Sequence, residues 1–100
     1  MMRRMDPLKD IGDLPEAQQK ALFTILRLGK PAFRTSEVGK KMPGALSGRS
    51  VGAVMNALQR NGYLEKVQGG RDKMWRLSAN ADANRDEMSK RISGIKAYWS

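Results

Sequence analysis

Several side chains between positions 47 and 60 combine hydrogen-bonding groups with small size. Arginine presents a planar fork of donors that matches the edge of guanine, and asparagine pairs in the same two-point manner with adenine. Glycine and alanine let a helix backbone approach base edges, and serines at a helix N-terminus suit phosphate contacts. At 100° per residue five of these residues share one helix face, opposite an apolar one: Arg49, Gly52, Ala53, Asn56 and Arg60. We therefore predict that this face reads nucleic acid, and that Ser47 and Ser50 near the helix N-terminus contact phosphates.

A second basic group follows at a glycine-rich turn. Gly70, Arg71 and Lys73 combine a flexible backbone with two cations, which suits contact with a phosphate backbone or a minor groove. The neighbouring Gly69-Gly70 pair lacks the spacing of a nucleotide-binding loop. Upstream, a short polar and basic segment is predicted to contact the DNA backbone through Thr35, Ser36, Lys40 and Lys41.

The positive charge is concentrated in the middle of the chain. The 100 residues include 19 Lys and Arg against 10 Asp and Glu, a net charge of +9. Between Arg27 and Arg76 there are 11 basic and 3 acidic residues, so this half carries +8 of that charge. Such an excess favours polyanionic partners, and we place the binding surface in this segment.

The composition argues against catalysis. The sequence has no cysteine and no histidine, which removes the thiol nucleophile, the commonest general base and the commonest metal ligands. We expect no enzyme activity, no cofactor, no metal site and no evident small-molecule ligand.

No apolar run approaches the roughly 20 residues that span a bilayer. We therefore expect a cytoplasmic, nucleoid-associated protein without a membrane partner.

Apolar spacings of three and four predict three helices before the glycine-rich turn. The first begins near residues 14–16 and ends near Gly29. A short helix spans 35–42, with Thr35 or Ser36 as its N-cap. The third runs from an N-cap at Ser47 to the Asn-Gly pair at 61–62, and its buried side is predicted to hold Val51, Val54, Met55 and Leu58.

A hairpin and a final helix complete the predicted order. Residues 63–68 and 73–77 read as two strands around the turn, with Trp75 and Leu77 in the core. The last helix starts at Asn80 or Asp82. Its apolar stripe either packs on its own domain or meets the same helix of a second subunit, and we favour the homodimer. The stripe consists of Met88, Ile92, Ile95 and Trp99.

These elements predict an α+β fold with a three-helix core, a two-stranded β-wing and an additional C-terminal helix. We divide the chain into an N-terminal arm (1–13), a central domain (14–79) and a C-terminal helix (80–100) as a candidate dimerisation element.

Three stretches carry a resemblance to a known superfamily: TSEVGKKM at 35–42, VGAVMNALQRNGYL at 51–64, and Gly70-Arg71 followed by the strand that ends at Ser78. Over residues 14–79 the chain resembles the winged helix-turn-helix domain of bacterial and archaeal transcriptional regulators. The resemblance implies binding of double-stranded DNA, commonly as a homodimer, with the third helix in the major groove and the wing on the flanking backbone. The linker at 43–46 is longer than the usual tight turn, and Gly52 lies inside the recognition helix.

Two classes of function stay open. The favoured one is sequence-selective duplex DNA binding by a dimeric transcriptional regulator or a plasmid or phage partition factor. The alternative is a winged-helix module that binds proteins within a larger nucleoprotein complex, since a fold does not fix a function. Such a module should carry an exposed apolar patch.

Overall fold

Five α-helices and three β-strands form the part of the chain described by this computed structural model, which comprises residues 10–44, 48–67 and 73–99. The helices are α1 (Glu16–Leu28), α2 (Thr35–Lys41), α3 (Gly48–Arg60), α4 (Ala79–Ala83) and α5 (Arg85–Ile95). The strands are β1 (Phe33–Arg34), β2 (Leu64–Val67) and β3 (Met74–Leu77), and 3-10 turns occupy Ile11–Asp13 and Lys96–Tyr98. The α+β fold class predicted from the sequence is confirmed.

Helix α1 begins and ends where its sequence signals predict. Pro15 precedes it in an extended conformation, and Glu16 places a carboxylate in the first turn. Gly29 ends it with φ of 62°, a left-handed conformation that glycine adopts without a Cβ penalty. Helix α1 thereby presents Ala21, Leu22 and Ile25 to the core.

The predicted N-cap of α2 is wrong. The cap is Arg34, whose backbone N–H donates to the Glu37 carboxylate at 3.0 Å. The cap lies one residue earlier than predicted because β1 holds Arg34 extended immediately before the helix. The Lys30 ammonium hydrogen-bonds the same carboxylate and lowers the pKa of Glu37 below its usual value.

The sheet is antiparallel in the order β1-β3-β2. The two predicted wing strands are present, with Leu64 opposite Leu77. A third strand, β1, was not predicted, because two residues are too few to show an alternating pattern. It places Phe33 opposite Trp75, so that β3 becomes the central strand.

A single hydrophobic core joins all these elements. Trp75 and Leu77 are buried as predicted, together with Phe33 and Tyr63. The predicted inner side of α3 is also confirmed, with Val51, Met55 and Leu58 buried and Val54 packed against the same cluster.

The C-terminal helix is broken in two. Helix α4 begins after Ser78, whose hydroxyl accepts from the Ala81 N–H at 3.1 Å, and it ends at Asn84, where φ is −108° and ψ is 21°. Helix α5 then turns its stripe inward: Met88 and Ile92 are 4% and 1% exposed in the core of the same chain.

Ile95 and Trp99 also pack against that core. The stripe therefore packs on its own domain, the first of the two alternatives. Because the monomer encloses Met88 and Ile92, these two residues do not form the predicted contact between subunits.

Residues 10–13, predicted as part of an N-terminal arm, belong to the packed body. Ile11 is only 3% exposed, and its carbonyl accepts from the Gln19 side-chain amide at 2.9 Å. Asp10 forms an ion pair with Arg91 of α5 at 2.9 Å, which lowers the pKa of Asp10 and raises that of Arg91. The rest of the predicted arm lies outside the described residues. None of the helices described is long and apolar enough to cross a membrane.

Candidate nucleic-acid interface

The outer face of α3 is defined by what its inner face buries. Once Val51, Met55 and Leu58 enter the core, the opposite side chains turn toward solvent. Two predicted residues of that face, Gly52 and Asn56, are half-buried. The others that the structure describes are exposed: Arg49, Ser50, Ala53 and Arg60. Ser47 lies outside the described residues.

Gly52 leaves the middle of this face open. A Cβ built at Gly52 would meet no other atom within 4 Å, apart from its own helix backbone and chain neighbours. Gly52 therefore does not serve a close packing contact within the chain, and the helix backbone is approachable from outside at this point.

A different glycine sets the approach of α2 to α3, and sequence reasoning missed it. A Cβ at Gly39 would lie 3.3 Å from Cγ2 of Val51, closer than most such contacts. The absence of a side chain at Gly39 thus lets α2 rest directly on the buried side of α3. A glycine in the middle of a short helix was the available signal, since glycine there costs helix stability unless packing requires it.

Thr35 has an internal partner for its hydroxyl oxygen, which acts there as the acceptor and does not use the O–H donor that a phosphate contact needs. Its Oγ1 accepts a hydrogen bond from the indole Nε1–H of buried Trp75 at 2.8 Å, and its backbone N–H donates to the carbonyl of Lys73. The start of α2 is therefore fastened to the central strand of the sheet. The other predicted backbone contacts on α2, which are Ser36, Lys40 and Lys41, are exposed.

The wing presents a mixed surface near its base. Glu65 and Arg76 pair across β2 and β3 at 3.0 Å, and the Lys66 ammonium lies 5.6 Å from the Trp75 ring centroid. Lys73 is exposed immediately before β3. Two predicted wing contacts, Gly70 and Arg71, lie outside the described residues.

The cations of this chain differ in whether they have a partner. Nine of those described form ion pairs, ring contacts or other polar interactions, including Lys30 with Glu37 and Arg91 with Asp10. Six exposed cations have no such contact with any described residue, and five of them lie in α2, α3 or the base of the wing. These five are Lys40, Lys41, Arg49, Arg60 and Lys73, and the sixth is Lys90 on α5.

Charges without an internal counterion indicate where an anion would bind. An ammonium already held by a carboxylate gains little from a phosphate, whereas an uncompensated one gains the full attraction. The arrangement therefore favours a polyanion lying along α2, α3 and the wing. Within the described ranges, no cluster of three or more acidic, histidine or cysteine side chains is positioned to hold a metal ion.

Comparisons with known proteins identify structural relatives only. No family model matches the sequence, and no curated protein matches it. AF1382 from Archaeoglobus fulgidus superposes with a TM-score of 0.65 at 18% identity, over 83% of this chain and 91% of that one.

Two larger regulators superpose with similar TM-scores. BpsR from Bordetella bronchiseptica, whose DNA binding is regulated by 6-hydroxynicotinic acid, has a TM-score of 0.65 at 20% identity over 91% of this chain. A mutant MarR from E. coli in complex with operator DNA has a TM-score of 0.61 at 17% identity over 80% of this chain. The chain spans 63% and 56% of the lengths of these two regulators. Together with the element order, these superpositions show that the chain has the winged helix-turn-helix fold, with α2 and α3 as its helix pair and β2 and β3 as its wing.

Proposed function

We propose that this protein binds double-stranded DNA sequence-selectively and acts as a transcription regulator. The observation that carries the proposal is the placement, on the helix pair and at the base of the wing, of the five exposed cations that have no partner among the described residues. In a winged helix-turn-helix, α3 is the helix that enters the major groove, so Arg49 and Arg60 would lie beside DNA. A partition-type DNA-binding factor would use the same surface.

We assign base reading and phosphate binding to different side chains of this surface according to their hydrogen-bonding groups. Arg49 and Asn56 on α3 are proposed to read base edges, because both side chains form two-point hydrogen bonds with a single base. Lys40, Lys41 and Lys73 are proposed to hold phosphates, since a lysine ammonium carries charge without a planar recognition geometry.

A homodimer stays part of this proposal. Two copies would present two recognition helices to a two-fold-related site, and regulators of this fold commonly bind in that way. The dimer contact must use surfaces other than Met88 and Ile92, which the core of each chain encloses. Sedimentation of the protein alone and of the protein on a selected duplex would measure the number of copies.

Selection from a pool of random DNA duplexes at several salt concentrations tests the proposal. We expect enrichment of a motif, and a two-fold-related one if the protein binds as a dimer. In the selected duplex, Arg49→Ala or Asn56→Ala should cost about 1–3 kcal/mol and relax the preference at one base pair.

Lys90→Ala is the matched control, because Lys90 is also an exposed cation with no partner among the described residues but lies on α5. It should leave both affinity and base preference nearly unchanged. Equal losses in Lys90→Ala and Arg49→Ala would mean that only overall charge matters. Retention without any enriched motif would contradict sequence selectivity.

A further inference from the structure

Three of the six aromatic side chains of this protein lie at the edge of the core or outside it. Phe33, Tyr63 and Trp75 are fully buried. Of the other three, Phe23 and Trp99 meet where α1 approaches the C-terminal turn, and Tyr98 precedes Trp99 in that turn; we call these three the aromatic surface.

This surface is built by specific contacts. The rings of Phe23 and Trp99 meet edge to face, with centroids 5.5 Å apart and an interplanar angle of 79°. The Trp99 indole N–H donates to the Gln19 side-chain oxygen at 2.9 Å, which fixes the C-terminal turn against α1. Tyr98, next in the chain to Trp99, is 87% exposed and is the large hydrophobic residue that stands out from the described surface.

Cations surround these rings. The Lys96 ammonium lies 4.8 Å from the Phe23 centroid, and the Arg27 guanidinium lies 5.4 Å from the same centroid. Lys20 lies 5.9 Å from the Trp99 centroid and is paired with Glu16. Arg27 and Lys96 each lie against the Phe23 ring, and neither has an ion pair with a described carboxylate.

A cavity of about 280 Å³ opens beside Phe23. Phe23 and Leu28 give it an apolar lining, and Arg27 and Lys41 line it with positive charge. An apolar side chain with acidic neighbours would match both features. Aromatic residues and arginine are also the types enriched where proteins contact one another.

We propose that the aromatic surface and its adjoining cavity dock an acidic polypeptide segment that carries a large apolar anchor residue. The anchor occupies the cavity beside Phe23, and its acidic neighbours pair with Arg27 and Lys96. This proposal adds a protein-binding activity to the proposed DNA binding and does not depend on it.

The charge pattern distinguishes this occupant from two others. A second copy of the chain related by a two-fold axis would bring the same cations against each other, which costs energy. A single-stranded nucleic acid would stack successive bases on several open ring faces, but Arg27 and Lys96 already lie against Phe23, which leaves the exposed Tyr98 as a single stacking ring.

The test begins with selection from a random-peptide display library on the full chain. We expect the enriched peptides to be rich in aspartate and glutamate around a leucine or an aromatic residue. One such peptide, synthesised with a fluorescent label, then gives affinities by anisotropy. Tyr98→Ala and Arg27→Gln should each weaken it about fivefold or more. The resonances of Tyr98 and the Trp99 indole should shift on titration.

Lys90→Gln controls for simple charge attraction, and it should change the affinity by less than about twofold. All three variants should bind duplex DNA as the unmodified chain does, so that failure here is separable from failure of the DNA-binding proposal. The proposal is overturned by an absence of enrichment, by enriched peptides without acidic residues, or by equal weakening in Lys90→Gln. Loss of self-association in Tyr98→Ala would overturn it too, because the surface would then belong to a second copy.

Discussion

At the scale of single residues, replacing Gly52 with alanine should change the stability of the protein and its DNA binding in opposite directions. We expect Gly52→Ala to raise the free energy of unfolding by about 0.5–1 kcal/mol, because alanine loses less backbone freedom in a helix interior. No neighbouring atom would oppose the new methyl group. The same methyl should weaken specific duplex binding, since it stands where base edges approach α3. Urea denaturation and DNA-binding anisotropy measure the two effects.

Gly94→Ala on α5 is the control for this prediction. Gly94 is also a helical glycine with no atom within 4 Å of an added Cβ, but it lies outside the helix pair. Its substitution should leave DNA binding unchanged. A Gly52→Ala protein with lower stability would show that the face of α3 is packed against something in the free chain.

Tyr63 makes the stability sensitive to alkaline pH. Burial, together with the nearby Asp10 carboxylate, raises the pKa of Tyr63 to about 12. The unfolded chain releases this proton near pH 10. The contribution of Tyr63 to stability is therefore fully present below about pH 10 and is lost as the pH rises toward 12, because only the unfolded state has given up the proton.

Absorbance titration of tyrosinate in a Tyr98→Phe background isolates this group, since the chain has two tyrosines. The midpoint should lie near 12 in the folded protein and near 10 in urea. Tyr63→Phe should remove the corresponding part of the alkaline decline in stability. An equal midpoint in the folded and unfolded protein would contradict the prediction.

At the scale of elements, the crossing of α2 over α3 depends on the small volume at position 39. We expect Gly39→Leu to destabilise the protein by about 1–3 kcal/mol, because the new side chain must displace Val51 from the core. Combining it with Val51→Ala should recover part of the loss, and chemical denaturation of both single variants and the double variant measures that coupling. Strict additivity of the two changes would mean that the helices do not meet at this pair.

The junction between α2 and the sheet shows why elements cannot be assigned one residue at a time. Thr35 was a natural candidate for phosphate contact, since its hydroxyl begins a helix in a basic region. In the structure the hydroxyl oxygen accepts from the indole of Trp75, which lies 40 positions away in the chain. The buried indole N–H needs this acceptor, because an unpaired buried donor is costly, while the Thr35 O–H remains the group for the predicted phosphate contact.

At the scale of the whole molecule, the exposed cations without a described counterion would set the salt dependence of DNA binding. Each phosphate contact releases a counterion, so a chain that uses the four other than Arg49, which is proposed to read a base, should show a slope of about −3 to −4 in log affinity against log salt concentration. A Lys40→Ala and Lys41→Ala double variant should reduce the magnitude of that slope by about 2, whereas Lys90→Ala should leave it unchanged. Affinity measured at several salt concentrations decides this, and a slope near zero would mean that the cations do not meet phosphate.

The sequence by itself determined the local elements and the outer face of α3. Apolar spacing located α1, α2 and α3 to within a few residues, and the positions of Gly29 and Asn61 marked where two helices end. These features are local, because a helix period and a left-handed glycine depend on neighbours in the chain. The exposed cations of the helix pair followed from the same period.

Only the tertiary structure decided which contacts join distant parts of the chain. Three features depend on partners that the local sequence pattern does not identify. They are strand β1, the close approach at Gly39, and the packing of Met88 and Ile92. Trp99 illustrates the reason. The spacing of apolar residues placed Trp99 on the apolar face of the helix, but its hydrogen-bond partner Gln19 lies 80 positions away. An apolar stripe on a helix indicates that this face is buried. Only the tertiary structure shows whether the same chain or another one buries it.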